Sequence, residues 1–463
     1  MNDLTAVLAR SWPIDDSDAV PHRPFQVFTQ RDLERIEPLS RLPEAARFEM
    51  KVVSTVLPFR VNQYVVDELI DWRRVPDDPI YQLTFPQRGM LTEAHFERIA
   101  ALYRRNADKA EIEAAANEIR HELNPHPADQ MEMNMPRDAA GNRLEGIQHK
   151  YRETVLFFPS QGQTCHSYCT FCFRWAQFVG DKTLRIAASE ARMLHGYLRD
   201  HTEVTDLLFT GGDPMVMKTR HLQGYFEPLL DPAFDHVQTI RIGTKALSFW
   251  PHRFLGAEDA DELIELLARM VRAGKHVALM AHYNHWREME TPAARAAIRR
   301  IRETGAVIRA QGPLVAHIND DPAVWARMWK TQVSLGIVPY YFFVERDTGA
   351  RNYFEVPLAR AWQIYREAIQ QVSGLARTAR GPSMSASPGK VEVQGVAEVA
   401  GEKVFVLRFI QGRNPDWVQR PFFARYDDRA TWLHQLKPAF GEAKWFWEDE
   451  YEAIREDKLL VAA

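Results

Sequence analysis

The sequence predicts an α/β fold: six β/α units curving into an incomplete barrel, preceded by a helical N-terminal segment and followed by a small α+β C-terminal extension. Short β-rich apolar runs at 155–158, 206–210, 239–242, 276–280, 306–309 and 337–343 alternate with longer stretches of helical period. Such alternation means a parallel sheet, because parallel strands need crossover connections. The conspicuous polar groups also come directly after the apolar runs, and in parallel sheets chemistry gathers at the carboxyl ends of the strands. Three cysteines follow the first run and Thr210-Gly-Gly-Asp-Pro214 the second, while Arg241-Ile-Gly-Thr-Lys245 continues the third. His282-Tyr-Asn-His285 follows the fourth, Gln311 the fifth and Glu345-Arg-Asp347 the sixth.

In chain order, residues 1–150 are polar, proline-punctuated and helical in pattern, which suits a cap on the barrel. Residues 93–103 place Phe96, Ile99, Leu102 and Tyr103 on one helical face, Pro76-Asp-Asp-Pro79 breaks the chain, and 124–129 read as a loop or linker. The barrel is expected over 151–375. Leu263, Leu266, Leu267 and Met270 share one helix face that Gly274 ends, and Thr291-Pro292 and Asp321-Pro322 are N-caps followed by proline at the first helical position. Within 376–463, the small residues from Gly381 to Lys390 read as a loop and 391–393 and 403–408 alternate as strands. Lys444-Trp-Phe-Trp447 is an aromatic patch that either seals a dimer interface or packs on the barrel.

The chain is 463 residues long, 46% hydrophobic and 26% charged, with a net charge of −4, so no general electrostatic pull draws it to nucleic acid or a membrane surface. No apolar run approaches the roughly 20 residues of a membrane span, and Met1-Asn-Asp-Leu-Thr5 lacks the basic and apolar regions of a leader. A cytoplasmic protein is expected. All three cysteines lie in one stretch, Cys165-His-Ser-Tyr-Cys169-Thr-Phe-Cys172, which leaves none for a structural disulfide elsewhere.

Four thiolates would close off an iron–sulfur cube, whereas three leave one iron open to an outside ligand. Two other readings exist: a Cys3His zinc site completed by His166, which would require a sharp fold-back beside Cys165, and inert buried thiols. The Cys165, Cys169, Cys172 spacing resembles that of the radical S-adenosylmethionine (SAM) enzymes, which implies a [4Fe–4S] cluster whose open iron chelates SAM and whose electron releases a 5′-deoxyadenosyl radical.

An ordered series of motifs over roughly residues 71–394 resembles the lysine 2,3-aminomutase family, radical SAM enzymes that also carry pyridoxal 5′-phosphate (PLP). Gln148-His-Lys-Tyr151 is similar to the family's His-Arg-Tyr, Thr210-Gly-Gly-Asp213 to its Ser-Gly-Gly-Asp, Arg241-Ile-Gly-Thr244 to its Arg-Ile-Gly-Ser and His282-Tyr-Asn-His285 to its His-Phe-Asn-His. The resemblance implies that Lys390 is the Schiff-base lysine and that Arg174 binds the substrate carboxylate. It places Gly211, Gly212, Asp213, His282 and Gln311 with SAM, and Tyr151 and Lys150 with PLP. It also implies a small-molecule amino acid substrate, a flavodoxin- or ferredoxin-type reductant and a homo-oligomer.

Departures bear on the substrate. The glycine run before the lysine is Ser-Ala-Ser-Pro-Gly here, and Arg346 and Ser383 stand where two aspartates receive the lysine ammonium in the family. The expected function is therefore a radical SAM, PLP-dependent amino acid 2,3-aminomutase, an isomerase, acting on glutamate, aspartate or another polar amino acid. Its rivals are an L-lysine 2,3-aminomutase proper, a PLP-independent radical SAM enzyme acting on a peptide or protein lysine, and a non-enzymatic iron–sulfur electron carrier or redox sensor.

Overall fold

The computed structural model describes residue 20 and residues 23–138, 140–188 and 190–460; the Met1 to Thr5 segment, on which the leader reading rests, lies outside them. Within the N-terminal part, a ribbon of Val27–Thr29 against Arg60–Asn62 accompanies helices α1 (Glu44–Val56), α2 (Glu93–Arg104) and α3 (Lys109–Glu122). Thr92 caps α2 by accepting the His95 amide at 3.2 Å, and Asp108 caps α3 through Glu111 at 2.8 Å. Phe96, Ile99 and Leu102 are buried as the periodicity predicts, while Tyr103 stands at the rim with its hydroxyl 2.9 Å from Thr55. The apolar core of these helices runs on into Phe171, Trp175, Phe249 and Phe354. The helical part is thereby seated on the loops that carry the cysteines.

Eleven strands form one sheet. A hairpin of β1 (Ile147–Tyr151) and β2 (Thr154–Phe157) opens it, so the expected boundary at residue 150 falls inside paired strands rather than in a linker. From β2 the strands β3 (Asp206–Phe209), β4 (Thr239–Thr244), β5 (His276–His282), β6 (Val307–Leu314) and β7 (Val338–Val344) lie side by side in chain order, all parallel. Helices α4 (Ala191–Asp200), α5 (Thr219–Phe226), α6 (Ala260–Arg272), α7 (Pro292–Glu303), α8 (Pro322–Ser334) and α9 (Leu358–Gln370) make the crossovers. All six expected strand and helix pairs are present.

Local chemistry sets these boundaries. Thr291 accepts the Ala294 amide at 3.1 Å and Asp321 the Ala323 amide at 2.7 Å, each ahead of its proline. Gly274, beyond the last residue of α6, has φ +92°, a left-handed turn that a glycine takes without a Cβ penalty. Leu263, Leu266, Leu267 and Met270 are all buried against the sheet, each contributing about 1.5–3 kcal/mol. In β4, Ile240 and Ile242 face that helical layer, while Thr239 and Arg241 line the opposite, concave side.

The segment expected as a loop before Lys390 is instead a pair of strands. β8 (Arg380–Ser385) continues the parallel set beside β7, and β9 (Gly389–Val399) turns back antiparallel, with Lys390 opposite Ser385. Small residues fit here because β8 is buried on both faces, and a Cβ on Gly381 would meet the Phe342 carbonyl at 2.1 Å. Strands β10 (Glu402–Gly412) and β11 (Pro421–Arg425) and helix α10 (Glu448–Leu460) complete the sequence. Trp447, from the aromatic patch, is buried 5.8 Å from the Phe409 ring in the core of this extension. Among the described residues, no helix is long and apolar enough to cross a membrane.

Candidate active site

The cysteine loop leaves β2 and crosses the carboxyl end of the sheet. Cys165, Cys169 and Cys172 are free, and burial pushes all three thiols up, Cys172 to about 11. The charges of Cys169 and Cys172 raise Cys165 further, and that of Cys172 raises Cys169. Buried thiols that ionise only with difficulty become good ligands once a metal takes the proton's place. No three His, Cys, Asp or Glu side chains among the described residues gather as a single ion requires, whereas a cube spreads its thiolates over separate irons. His166, the fourth ligand of the zinc alternative, is buried edge-on to Phe25 at 5.6 Å, and burial holds its imidazole down at about 3.

Gly211 and Gly212 press on the residues that lead into Cys165. A Cβ on Gly212 would lie 2.4 Å from the Thr164 carbonyl oxygen, and Gly211 sits at φ +144° against the Gln163 side chain. Asp213 then ties this turn to the end of β4. Its carboxylate accepts the Thr244 hydroxyl at 2.8 and 2.9 Å and the Lys245 and Met215 amides at 2.8 and 2.9 Å. Burial nevertheless pushes Asp213 up to about 6. Its oxygens thus brace the turn against the end of β4.

His282 ends β5 with its ring 5.9 Å from Phe171, between the second and third cysteines. Gln311 lies within β6, opposite His282 and Tyr341, rather than after the strand. Arg241 also departs from the expected carboxyl-end placement: it is the third residue of β4 and grips Asp206 through Nε at 2.7 Å and through Nη2.

Sequence reasoning did not single out the buried network behind these residues. Lys245 Nζ donates to Glu288 at 2.6 Å, to Asn284 at 3.0 Å and to the His282 carbonyl at 3.2 Å. Glu288 also accepts the Ser248 hydroxyl and the Asn284 and His285 amides. The available signal was that Lys245 follows the Arg241 to Thr244 motif directly.

Arg174, two residues past Cys172, is 5% exposed and lies over the Phe158 ring at 4.1 Å. Its one hydrogen bond runs from Nη1 to Gln130 at 3.3 Å, while Nε and Nη2 are buried without an acceptor. Burial lowers its guanidinium to about 9. Arg346 is packed over Phe173 at 4.5 Å and donates to the Ser385 carbonyl at 3.2 Å. Burial pushes the neighbouring Glu345 carboxyl well above the usual carboxylate range, against the lowering pull of the Arg346 amide and charge. Ser383 is fully buried with its hydroxyl toward the Phe342 carbonyl at 3.4 Å, so it lines no space that even water enters. It is removed from the expected substrate contacts.

Lys390 Nζ lies 4.1 Å above the Tyr341 ring and 5.5 Å from that of Phe343. Burial, with the charges of Arg241, Arg380 and Arg346, lowers its amine to about 7. Lys150 donates to the Ala386 carbonyl and is held well below its ordinary value, again chiefly by burial. Tyr151 is buried nearby and raised, with Arg413 and Arg346 as its charged neighbours. A neutral, half-buried amine surrounded by cations suits an aldehyde that carries negative charge. A cavity of about 380 Å³ opens beside Lys390, lined by Arg241, Arg309, Tyr340, Tyr341 and Arg380 among others.

With this geometry established, comparison with known proteins is informative. No family profile matches the chain. A protein of Aquifex aeolicus provisionally named L-lysine 2,3-aminomutase is 29% identical over 414 residues, 89% of this chain and 96% of its own length. The L-lysine 2,3-aminomutase of Methanococcus maripaludis is 23% identical, covering 81% of this chain and 76% of that one, and the Escherichia coli protein of the same name is 28% identical over 50% and 63%. Among solved structures, a radical SAM methyltransferase from Sphaerobacter thermophilus is 14% identical with a TM-score of 0.36 over 66% of this chain and 95% of that one, a likeness too slight to build on. The chain is a relative of the lysine 2,3-aminomutases.

Proposed function

We propose that the protein is a radical SAM, PLP-dependent amino acid 2,3-aminomutase, an isomerase that moves an α-amino group to the β-carbon. On this reading the parallel strands curve into a partial (β/α)6 barrel, with the helical segment as cap and the extension supplying Lys390. The cell supplies a flavodoxin- or ferredoxin-type reductant in a cytoplasmic, reducing compartment, and the working form is a homo-oligomer. The observation that carries the proposal is Arg174: a buried guanidinium with two idle donors, beside the last cysteine. An unpaired buried cation costs several kcal/mol, which a substrate carboxylate accepting both bonds would offset.

When bound, the cluster with SAM supplies a hydrogen-abstracting radical, and PLP supplies the carbonyl that carries the migrating nitrogen. The chain's own residues do the rest. Lys390, neutral from about pH 7 upward, offers its amine to that carbonyl without prior deprotonation. Arg174 fixes the carboxylate, and with it the direction in which Cβ points. Phe171, Trp175 and Phe354, packed into the core of the cap, keep water from the space above the sheet.

Arg346 favours a substrate with an acidic or polar side chain, glutamate or aspartate ahead of lysine, since its hydrogen bond goes to a backbone carbonyl, with Asp347 and Glu345 acting on it only through their charge. One observation favours L-lysine instead: Asp347 Oδ1 is buried without a donor, which an ammonium would satisfy. Anaerobic assay of the loaded enzyme for β-amino acids from L-glutamate, L-aspartate and L-lysine separates these, with borohydride trapping to locate the pyridoxyl group on Lys390. Faster turnover of lysine assigns the pocket to Asp347; a label elsewhere than Lys390 removes PLP from the mechanism.

A further inference from the structure

No helix or strand runs through the cysteine loop, residues 165–172, so its shape depends on what it bonds to. Its two spans are held differently. From Cys169 to Cys172 the loop closes on itself, the Cys172 amide donating to the Cys169 carbonyl at 3.1 Å. From Cys165 to Cys169 it is held from outside, by the helical cap. The Tyr168 amide donates to the Arg60 carbonyl at 2.8 Å, and just past Cys169 the Thr170 amide and hydroxyl donate to the Leu83 and Gln82 carbonyls at 2.9 and 2.8 Å.

Asn62, the last residue of the Arg60–Asn62 strand, is fully buried and gathers the rest of these contacts. Its amide donates to the Ser167 hydroxyl at 2.9 Å, and its side-chain Nδ2 donates to the His166 carbonyl at 3.3 Å and to the Phe249 carbonyl at 2.8 Å. Its Oδ1 accepts the Val65 amide at 3.0 Å. An asparagine that served the cap alone would bond within it, as Oδ1 does to Val65; the other three bonds cross to the cysteine loop and to the segment beyond β4. Phe249 lies under Lys245, with Nζ 4.6 Å from its ring, so the brace also reaches the network behind the cysteines.

We infer that Asn62 is a positioning residue for the iron–sulfur cluster: it fixes the stretch between Cys165 and Cys169 so that both thiols are in place before the cluster binds. This rests on the cluster half of the proposed function. A loop ordered in advance gives up no freedom on binding, so the three thiols gain affinity for the cluster without any new iron contact. Removing the Asn62 side chain leaves the His166 and Phe249 carbonyls and the Val65 amide without the partners they have now, and the span between the first two cysteines loosens.

The test compares the anaerobically reconstituted holoprotein of wild type, Asn62→Ala, Ser167→Ala and, as a cap control, Thr92→Ala, whose hydroxyl caps α2 instead. Iron released to a chelator is followed over time, with the denaturant midpoint of each apoprotein measured alongside. Asn62→Ala should release iron about tenfold faster than wild type, and Ser167→Ala, which removes only the acceptor of the Asn62 amide, about threefold faster. Thr92→Ala should lower the midpoint yet release iron at the wild-type rate. Wild-type release from both loop variants overturns the positioning role and leaves the cluster reading standing. Equal acceleration in Thr92→Ala overturns it too, since cluster loss would then follow cap stability alone. If Asn62→Ala does not fold, Ser167→Ala against Thr92→Ala decides by the same comparison. A wild type that takes up no cluster overturns the cluster reading, and the positioning role with it.

Discussion

Two ends of one sheet treat their buried charges in opposite ways. At the carboxyl end, behind the cysteine loop, Lys245 is matched by Glu288, Asn284 and a carbonyl, and Asp213 by the Thr244 hydroxyl and the Lys245 and Met215 amides. Toward Lys390, Arg309 and Arg380 meet only aromatic rings, and at the carboxyl end Arg174, beside Cys172, is the exception that keeps two idle donors. A satisfied network positions backbone, whereas a buried cation with unpaired donors, as at Arg174, leaves bonding capacity unused. The difference separates charged residues whose hydrogen-bonding capacity is spent on the scaffold from charged residues that keep capacity to spare.

The cysteines provide the sharpest test of the carboxyl end. Cys165→Ala, Cys169→Ala or Cys172→Ala should each eliminate cluster iron after anaerobic reconstitution and abolish SAM cleavage, because the chain has no other thiol to substitute. Retained cleavage in any one would sink the assignment. Arg174→Ala comes next: loss of two charge-assisted hydrogen bonds of about 1.5–3 kcal/mol each should lower kcat/KM by roughly 10²- to 10⁴-fold while SAM cleavage without substrate persists.

The scaffold side of the contrast is tested by stability. Lys245→Met strands Glu288 in a fully buried position and should cost about 3–5 kcal/mol in denaturant unfolding of the apoprotein. Lys245→Met with Glu288→Leu should recover part of that loss. Equal destabilisation by the single and double changes would mean that the pair carries no structural coupling.

The contrast also explains what the sequence disclosed. The six parallel strands were legible because their apolar runs face the helical layer, and the cysteine, glycine and histidine motifs because they leave those strands at one end. Motif register singles out Lys390 in the sequence but not its setting: Gly381 to Ser385 reads as a loop until its pairing between β7 and β9 is seen. Arg309 and Arg380 stay hidden since an arginine in a strand pattern reads as a solvated position, and only the strand order brings both to the Tyr340 ring. The scaffold bonds of Asp213 are hidden for the converse reason, as a motif does not reveal which donors its oxygens meet.

A smaller effect comes from the low setting of Lys390. Its amine titrates near 7 because burial and neighbouring cations disfavour the charged form, so capture of PLP should rise as pH increases through about 7 and level off above it. Removing a cation relaxes that pressure. In Arg380→Gln the midpoint should move to higher pH, as read from the rate of Schiff-base formation across pH 6–9 (a range of about three units) with pyridoxal as the aldehyde. A midpoint that stays put would place Arg380 too far from Lys390 to act on it.

The smallest expected effect concerns the side chain of the substrate. Arg346 makes one weak backbone contact and one aromatic contact, so its charge is available, and a substrate carboxylate should gain about 1.5 kcal/mol, or roughly tenfold in kcat/KM, from meeting it. Arg346→Met removes that gain and should reduce turnover of glutamate relative to lysine by about that factor. Arg346→Asp should go further in favour of lysine, but a carboxylate there also lies near Arg174, whose idle donors it could take, so KM for every substrate should rise as well. The two variants therefore separate repulsion from blockage: a change in the glutamate-to-lysine ratio in both, with a general rise in KM in Arg346→Asp alone, assigns Arg346 to the side-chain pocket. An unchanged ratio in both would leave Asp347 as the group that reads the side chain.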